Sequence, residues 1–315
     1  MKKTALLTLL CLFCLALIAS AVIYTSPDTL AADSETVTYL DGSDLLYDLM
    51  ENATTFAVAY HKPLGGSHYA YTEALYEEST NEAATGVGTE SNFFPGSKLT
   101  LITLAVEGDK VKMTEKELLQ SPSGCIRDPD VSADGKKIVF SWKKEKTDDF
   151  HIYEMNISDG SYRQLTFGSG VADIECIYLP TGEILFNSTR AIQTVDCWIT
   201  PVSNIYKMSA DGKNIIRLGY DQVHTTYPTL TADGRVIYTR WDYNDRTQMF
   251  IQGLFQMNPD GTNQTELYGN NSNFPTTLMH TRSVPDENSL YLSIATGHHT
   301  YQAGKLCYID VSKGR

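Results

Sequence analysis

One stretch of this chain reads DPDVSADGKKIVFS over residues 128–141 and continues as HIYEMN over 151–156 and RQLT over 163–166. Its motifs recur in the same order further along, in copies that begin near residues 181, 233 and 285. The first of these copies holds ILFNS at 184–188 and IYKM at 205–208, the second VIYT at 236–239 and LFQMN at 254–258, and the weaker third LYLS at 290–293 and LCYID at 306–310. A spacing of about fifty residues indicates a repeat architecture.

Each copy predicts a small antiparallel sheet. Short runs rich in Ile, Val, Tyr and Phe alternate with polar residues, which is typical of strands. Asp-Gly pairs favour tight hairpin turns because both residues accept a positive φ, and they lie between the runs at 134–135, 159–160, 211–212, 233–234 and 260–261. One such sheet cannot bury both of its faces alone, so the sheets must stack. We therefore predict an all-β fold, a β-propeller of four-stranded antiparallel blades, with about five blades visible and the last one incomplete.

The runs can be assigned to blades in chain order. The first blade takes 55–61, 98–105 and 110–113 and is interrupted by an insertion over 62–96. The later blades take 137–141, 151–156, 162–165 and 174–178 for the second, 183–187, 204–208, 214–218 and 227–230 for the third, 235–240, 253–257, 264–267 and 277–283 for the fourth, and 289–294 and 305–310 for the fifth. Two interpretations of the short fifth blade stay open. We expect the propeller to continue beyond this chain, and the alternative is that residues 36–40 complete the last blade and close a five-bladed ring.

The N-terminus carries the features of a secretory signal. Lys2 and Lys3 precede an apolar run over residues 5–24, and small residues would allow cleavage after Ala21 or Ala32. The run is long enough that an uncleaved membrane anchor is the alternative. We expect a signal peptide or anchor over 1–32, a segment with a short helix (42–52) over 33–54, and the propeller over 55–315. The protein would be periplasmic or extracellular, with no further contact with a membrane.

The charge of the chain argues against a nucleic-acid partner. Its formal net charge is −13, from 38 acidic and 25 basic side chains, whereas phosphate binding needs a basic surface. Four cysteines follow the signal, and in an oxidising compartment they could form up to two disulfides: Cys125, Cys176, Cys197 and Cys307. Cys125 and Cys176 occupy similar places in successive blades and could pair. Free buried thiols are the alternative.

The residues also carry a resemblance to known proteins. The order Asp-Pro-x-x-Ser-x-Asp-Gly, Ile-Val-Phe-Ser, Ile-Tyr-x-Met and Arg-x-Leu-Thr resembles the TolB-type propeller repeat. Over residues 56–315 the chain is also similar to the propeller region of the hydrazine synthase alpha subunit family. The segments that carry this narrower resemblance are YLP at 178–180, NSTR at 187–190, DCW at 196–198, YTRWDY at 238–243, MNPDGT at 257–262, GHH at 297–299 and GKL at 304–306.

The haem chemistry of that family does not come with the resemblance. The hydrazine synthase alpha subunit is a multihaem protein, and covalent c-type haem requires Cys-x-x-Cys-His. This sequence has no such motif, because Cys11 and Cys14 lie in the signal and precede no His. We therefore expect no haem c, and the one cofactor left open is a divalent metal.

Five histidines could gather on one rim of the propeller. His61 and His68 flank the start of the insertion, His224 precedes a strand, and His298 and His299 follow one. Propeller loops of one rim converge on the axis, so these imidazoles could together bind a divalent metal. The alternative is that they are ordinary polar residues of the rim.

The densest polar and aromatic cluster is RWDYNDR at residues 240–246. Arg240, Trp241, Asp242 and Asp245 follow a strand there, and they could contact a glycan or peptide through stacking and bidentate hydrogen bonds. Arg190 follows an earlier strand in a similar place. This recurrence favours a structural role for both arginines, such as pairing with an Asp of a neighbouring blade.

Catalytic signatures are weak in this sequence. Gly-x-Ser-x-Gly is absent, and no glycine-rich phosphate loop precedes a helix. We therefore expect an exported binding or scaffold module whose protein or glycan partner is unknown. The alternative is a metal-dependent polysaccharide lyase or hydrolase with its site at the axial rim of the propeller.

Overall fold

The computed structural model describes residues 35–41, 54–61, 95–195, 201–243, 251–269, 272, 274–284, 287–297 and 304–314. These residues are almost entirely β-strand, with one 3-10 turn at Val311–Lys313. The strands are β1 (Thr36–Asp41), β2 (Thr54–His61), β3 (Ser97–Glu107), β4 (Lys110–Ser121), β5 (Cys125–Val131), β6 (Lys137–Lys143), β7 (His151–Asn156), β8 (Tyr162–Gln164), β9 (Asp173–Tyr178), β10 (Ile184–Ser188), β11 (Asn204–Met208), β12 (Ile216–Arg217), β13 (Thr225–Leu230), β14 (Val236–Trp241), β15 (Gln252–Met257), β16 (Thr265–Tyr268), β17 (Thr277–Ser283), β18 (Leu290–Thr296) and β19 (Lys305–Asp310). Among them, no helix is long and apolar enough to cross a membrane.

The strands form successive antiparallel blades. Blade 1 has the order β1-β4-β3-β2, blade 2 the order β5-β6-β7-β8, and blade 3 the order β9-β10-β11-β12. Blade 4 holds β13 to β16 and blade 5 holds β17 to β19, joined by a single parallel bridge between Gln252 and Thr277. The innermost strands β2, β5, β9, β13 and β17 lie side by side. The predicted all-β propeller of four-stranded blades is confirmed.

Hydrophobic side chains hold each blade against the next. Period-2 alternation sends neighbouring residues of one strand to opposite faces of the sheet. On β6, Phe140 packs towards Leu99 of blade 1, whereas Val139 packs towards Phe186 of blade 3. Further along, Tyr238 joins the core between blades 3 and 4. Because both faces of an inner blade are covered in this way, the apolar runs of the sequence are buried.

The two rims of the propeller differ in their connections. We call the turn rim the end that holds the short hairpins, among them the turns at Gly135 and Gly160, each with φ of 69°. The opposite end, the loop rim, holds the connections from one blade to the next and the longer loops after β10, β14 and β18. His61 ends β2 at the loop rim, because its partner Ser97 bonds to Gly124 and Ile126 where β5 begins.

The assignment of runs to blades was shifted by one strand. The runs 174–178, 227–230 and 277–283 do not close blades. They belong to β9, β13 and β17, which begin blades 3, 4 and 5. The predicted blade 2 correspondingly lacked its true first strand, β5. The repeat shows how many residues separate successive blades, but it does not show which strand begins a blade. Only the hydrogen-bond register between strands decides that.

The alternative in which residues 36–40 complete the last blade is wrong. That segment forms β1, which pairs with β4 in blade 1, with Tyr39 opposite Lys112. The alternating side chains of the segment suit any exposed antiparallel edge, so its partner could not be chosen from the pattern. The predicted helix over 42–52 and most of the insertion lie outside the described residues.

Candidate functional site at the innermost strands

Four successive innermost strands are bent at the same level. Asp128 on β5, Glu175 on β9, Tyr227 on β13 and His280 on β17 have left-handed backbone, with φ between 49° and 55°. Each lies where the ladder to the next strand shifts register. A β-bulge of this kind re-aims a side chain, and left-handed non-glycine residues concentrate at functional positions. The four bulges therefore define a site on the axis, which we call the axial site.

Hydrogen bonds link the bulges from blade to blade. The Glu175 N–H donates to Asp128 Oδ2 at 3.1 Å, and the Tyr227 N–H donates to Glu175 Oε2 at 2.7 Å. The last contact is between rings, since the centroids of Tyr227 and His280 lie 4.0 Å apart. Each bulge thus presents a side chain to the next blade, and the axial site extends over blades 2 to 5.

A buried ion pair stands at the centre of the axial site. Arg127 is 5% exposed; its Nε donates to Asp128 Oδ2 at 2.7 Å, and its Nη2 lies 3.5 Å from Glu175 Oε1. Its Nη1 is buried and makes no hydrogen bond to a described residue. Burial raises the pKa of the Glu175 carboxyl, the Asp128 charge raises it further, and Arg127 opposes both. Asn187 Nδ2 donates to Glu175 Oε2 at 2.6 Å.

A second guanidinium lies two residues beyond the last bulge. Arg282 is exposed to solvent, yet protein surrounds it and the resulting burial lowers its pKa, with Asp130 as the largest compensating charge. Solvent therefore reaches this guanidinium although protein lies on most sides of it. Within the described residues its hydrogen bond goes to Thr281 O at 3.2 Å. Asp130 lies two residues beyond the bulge of β5 and accepts from the Tyr178 N–H at 2.8 Å.

The imidazole of His280 is kept neutral. Burial and the charge of Arg282 lower its pKa to about 4 from an ordinary value of 6.5. The His280 ring can therefore offer one donor and one acceptor at neutral pH without adding charge. Together the described groups form a compact set of two guanidiniums, three carboxylates and an imidazole.

We expect the His280→Asn substitution to change how stability depends on pH. Asn tolerates left-handed backbone and does not titrate. Between pH 6.5 and 4 the unfolded chain protonates this histidine and the folded protein does not, so wild-type stability falls as pH falls, by up to about 1.4 kcal/mol per pH unit. Urea unfolding at several pH values in that window should show that the free energy of unfolding falls less steeply with falling pH in His280→Asn than in wild type. An unchanged slope in His280→Asn would contradict the assignment.

The predicted arginines are engaged in ion pairs. Arg190 binds Asp173 on β9 in a bidentate manner, at 3.1 and 2.6 Å, and Asp173 is fully buried. Arg240 Nε lies 3.1 Å from Asp221 and 3.3 Å from Asp242. Asp173 belongs to the same blade as Arg190, and Asp221 lies in the connection between blades 3 and 4, so neither acid comes from the body of a neighbouring blade. Their ligand role stays a prediction.

The predicted stacking platform is not accessible. Trp241 is 3% exposed and packs between the rings of His224, at 5.7 Å, and Tyr243, at 5.4 Å. An aromatic strand end can serve a ligand only if one face of the ring is open, and here the neighbouring connections cover it. Asp245 lies outside the described residues.

Two of the five candidate histidines, His61 and His224, are among the described residues. His224 is buried, and its Nδ1 accepts from the Ser203 N–H at 3.1 Å. His61 is exposed at the end of β2, whereas His68, His298 and His299 lie outside the described residues. In the described part of the chain, no group of three or more His, Cys, Asp or Glu side chains could hold a metal ion. A metal site on the rim thus stays a prediction.

The predicted pairing of Cys125 with Cys176 is not formed. Both thiols are free and buried, and Cys307 is also free, whereas Cys197 lies outside the described residues. Cys125 packs near the start of β5 with Phe150 and Ile174, while the Cys176 thiol donates to Asp128 O at 3.6 Å, three residues further along the same strand. Cys125 and Cys176 thus occupy similar places in the sequence repeat but lie at different heights along the blades. Burial raises the pKa of the Cys125 thiol to about 11.

The axial residues Arg127, Glu175, Tyr227, His280 and Arg282 were not singled out in the sequence. One signal was available, since Pro follows the bulged residue in Asp128-Pro129 and Tyr227-Pro228. Proline within a strand marks an edge or a bulge. The other two bulges carry no such mark, so their position follows only from the register of the folded blades.

Comparisons with known proteins concern the fold. No protein-family model matches this chain, and no curated protein is significantly similar to it. Hydrazine synthase from Kuenenia stuttgartiensis is similar over 82% of this chain and 37% of its own, with 17% identity and a TM-score of 0.56. TolB from Acinetobacter baumannii is similar over 73% of this chain and 55% of its own, with 16% identity and a TM-score of 0.47.

A structure assigned as TolB from Agrobacterium tumefaciens is similar over 55% of this chain and 61% of its own, with 21% identity and a TM-score of 0.41. This chain therefore spans less than two thirds of the length of each of these three structures. At such identities the likeness carries no activity from one protein to another. It shows the fold alone, a β-propeller that resembles the propeller of hydrazine synthase.

Proposed function

We propose that this chain is an exported binding module that holds a ligand at its axial site. The observation that supports it is the concentration of buried charge at the bulges, where Arg127 is paired with Asp128 and Glu175. Buried ions lose hydration, and a pair of them stabilises a fold no better than well-packed apolar residues of similar volume. Charges retained at such a cost favour a use in binding.

The strained backbone points to the same place. Left-handed backbone at Glu175 and Tyr227 costs free energy that an ordinary innermost strand would avoid. Perturbed pKa values also cluster at functional sites, and those of Glu175 and His280 are displaced in opposite directions here. The interblade hydrogen bonds of the bulges explain part of this arrangement, but they do not require Arg282 at the axial site.

Export is supported by the N-terminal sequence. Lys2 and Lys3 followed by the apolar run 5–24 would direct the chain across a membrane. A periplasmic or extracellular location would place the axial site in contact with ligands outside the cytoplasm. The lack of a Cys-x-x-Cys-His motif sets this module apart from the haem chemistry of hydrazine synthase.

The proposal can be tested by what the native protein retains. The chain is produced with its own N-terminus, recovered from the periplasmic fraction and examined intact by native mass spectrometry. We expect a bound species in wild type and in Arg217→Gln, and its loss in Arg282→Gln. Arg217 is the matched control because it is a guanidinium on the outermost strand of blade 3.

Two results would contradict this function. Recovery of the protein from the cytoplasm alone would refute export. The same mass for wild type and both variants, with no retained species after mixing with periplasmic extract, would refute binding at the axial site.

A further inference from the structure

We propose that the axial site binds the carboxylate of a small organic acid, with Arg282 as the contacting residue and Arg127 behind it. This inference rests on the proposed function and names the chemical class of the ligand. It follows from which hydrogen-bonding groups of the site are occupied, from the accessibility of Arg282 and from the balance of charge.

The acidic groups of the axial site already accept hydrogen bonds from the protein. Asp128 Oδ2 accepts from Arg127 Nε at 2.7 Å and from the Glu175 N–H at 3.1 Å. Glu175 Oε2 accepts from two donors, and Asp130 Oδ2 accepts from the Tyr178 N–H at 2.8 Å. Glu175 Oε1 accepts no hydrogen bond from a described residue, but it lies 3.5 Å from Arg127 Nη2. The backbone N–H contacts of these carboxylates join neighbouring blades, so a ligand that bound to the carboxylates would compete with the fold.

The donors of the site remain open instead. Within the described residues, the guanidinium of Arg282 has one hydrogen bond, to Thr281 O at 3.2 Å. Arg127 Nη1 is buried and donates to no described residue. A guanidinium offers five N–H donors in a planar fork, and a carboxylate matches that fork with two parallel hydrogen bonds. Open donors on a surrounded guanidinium therefore favour an acceptor ligand.

Arg282 is the donor that a ligand can reach. It is exposed to solvent, whereas Arg127 is 5% exposed. Two residues before it on β17, the His280 ring contacts the Tyr227 ring, with the centroids 4.0 Å apart and the ring planes tilted by 41°. A ligand carboxylate at Arg282 would thus have its carbon skeleton beside these rings.

The local charge limits the ligand to one negative charge. The two guanidiniums face three carboxylates, those of Asp128, Asp130 and Glu175. With Glu175 ionised in its pair with Arg127, the set carries one excess negative charge. Such a set repels a phosphate dianion more strongly than a single carboxylate, which the fork of Arg282 can hold.

The test compares carboxylates with neutral probes of the same shape. Isothermal titration calorimetry is run on the full chain with acetate and galacturonate, and with acetamide and galactose as their uncharged counterparts. We expect saturable binding of at least one carboxylate and no comparable binding of its counterpart. Arg282→Gln should weaken that binding about tenfold or more, since hydrogen bonds to charged groups contribute about 1.5–3 kcal/mol.

Two further variants separate contact from folding. Arg282→Lys keeps the charge but loses the fork, so it should bind more weakly than wild type and more tightly than Arg282→Gln. Arg217→Gln, on the outermost strand of blade 3, should bind as wild type does. Equal melting temperatures for wild type and Arg282→Gln would show that any lost affinity is not caused by unfolding.

Each adverse result has a distinct meaning. If galactose and galacturonate bind equally well and Arg282→Gln binds neither, the inference of a carboxylate ligand is overturned, whereas the proposed binding function stands. Wild-type affinity in Arg282→Gln would overturn the contacting role of this residue. If neither acetate nor galacturonate binds, the inference is refuted, and the retained species in native mass spectrometry decides separately whether the proposed function stands.

Discussion

Glu175→Ala is expected to lower the free energy of unfolding by about 3–5 kcal/mol, because it removes one of the two carboxylates that face the buried Arg127. The substitution also removes the acceptor of the Tyr227 N–H and of Asn187 Nδ2, which lie 2.7 and 2.6 Å from Oε2. These donors cannot reach water, since Asn187 is fully buried and Tyr227 is 5% exposed. Urea unfolding followed by tryptophan fluorescence measures the loss.

The matched control is Glu183→Ala. Glu183 also forms an ion pair, with Lys207 at 3.1 Å, but its side chain is 37% exposed. Exposed pairs contribute about 0–1 kcal/mol, so this variant should be close to wild type. If Glu175→Ala and Glu183→Ala cost the same, the ion pair is not what makes the axial site sensitive.

Phe186→Ala is expected to cost about 3–5 kcal/mol, through lost burial and the cavity that remains. Phe186 on β10 is fully buried, and it packs between blades 2 and 3 with Val139, Ile152 and the Tyr206 ring at 6.1 Å. Two rigid sheets meet at this ring, so the gap cannot close by moving a single side chain. The change is measured by urea unfolding of the purified variant.

The control for this cavity is the same substitution on the surface. Phe167 is 63% exposed in the connection between blades 2 and 3, so Phe167→Ala should change stability by about 0.5 kcal/mol or less. A large loss in Phe167→Ala together with a small loss in Phe186→Ala would contradict the packing of blades described above.

The repeat made most of the fold predictable. Runs such as ILFNS at 184–188 alternate or carry β-branched residues, and Asp-Gly pairs form turns by their own backbone preferences. These are local properties, so they survive without knowledge of the partner strand. Which strand begins each blade is, in contrast, not a local property of the sequence. Whether 174–178 closes one blade or opens the next depends on pairing with β10 rather than β8.

The axial site was missed for a related reason. Asp128 and Glu175 are 47 residues apart, and Glu175 and Tyr227 are 52 apart, yet hydrogen bonds join them. In the sequence each stands among ordinary strand residues and no motif links them. The RWDYNDR cluster at 240–246 was predicted as a ligand site because its polar residues are contiguous in the sequence. In the structure Trp241 is buried and Arg240 forms ion pairs.

The sequence by itself determined the strands, the turns, the blade repeat and the absence of a c-type haem motif, because these depend on residues within a few positions of one another. Only the tertiary structure decided which strand begins each blade and that the Trp241 ring is buried. It also decided that Arg127, Glu175 and His280 meet at the axial site. The burial of a side chain, the pKa of an axial group and whether a donor has a hydrogen-bond partner are set by distances between blades. Those distances arise when the sheets stack, and no spacing along the chain encodes them.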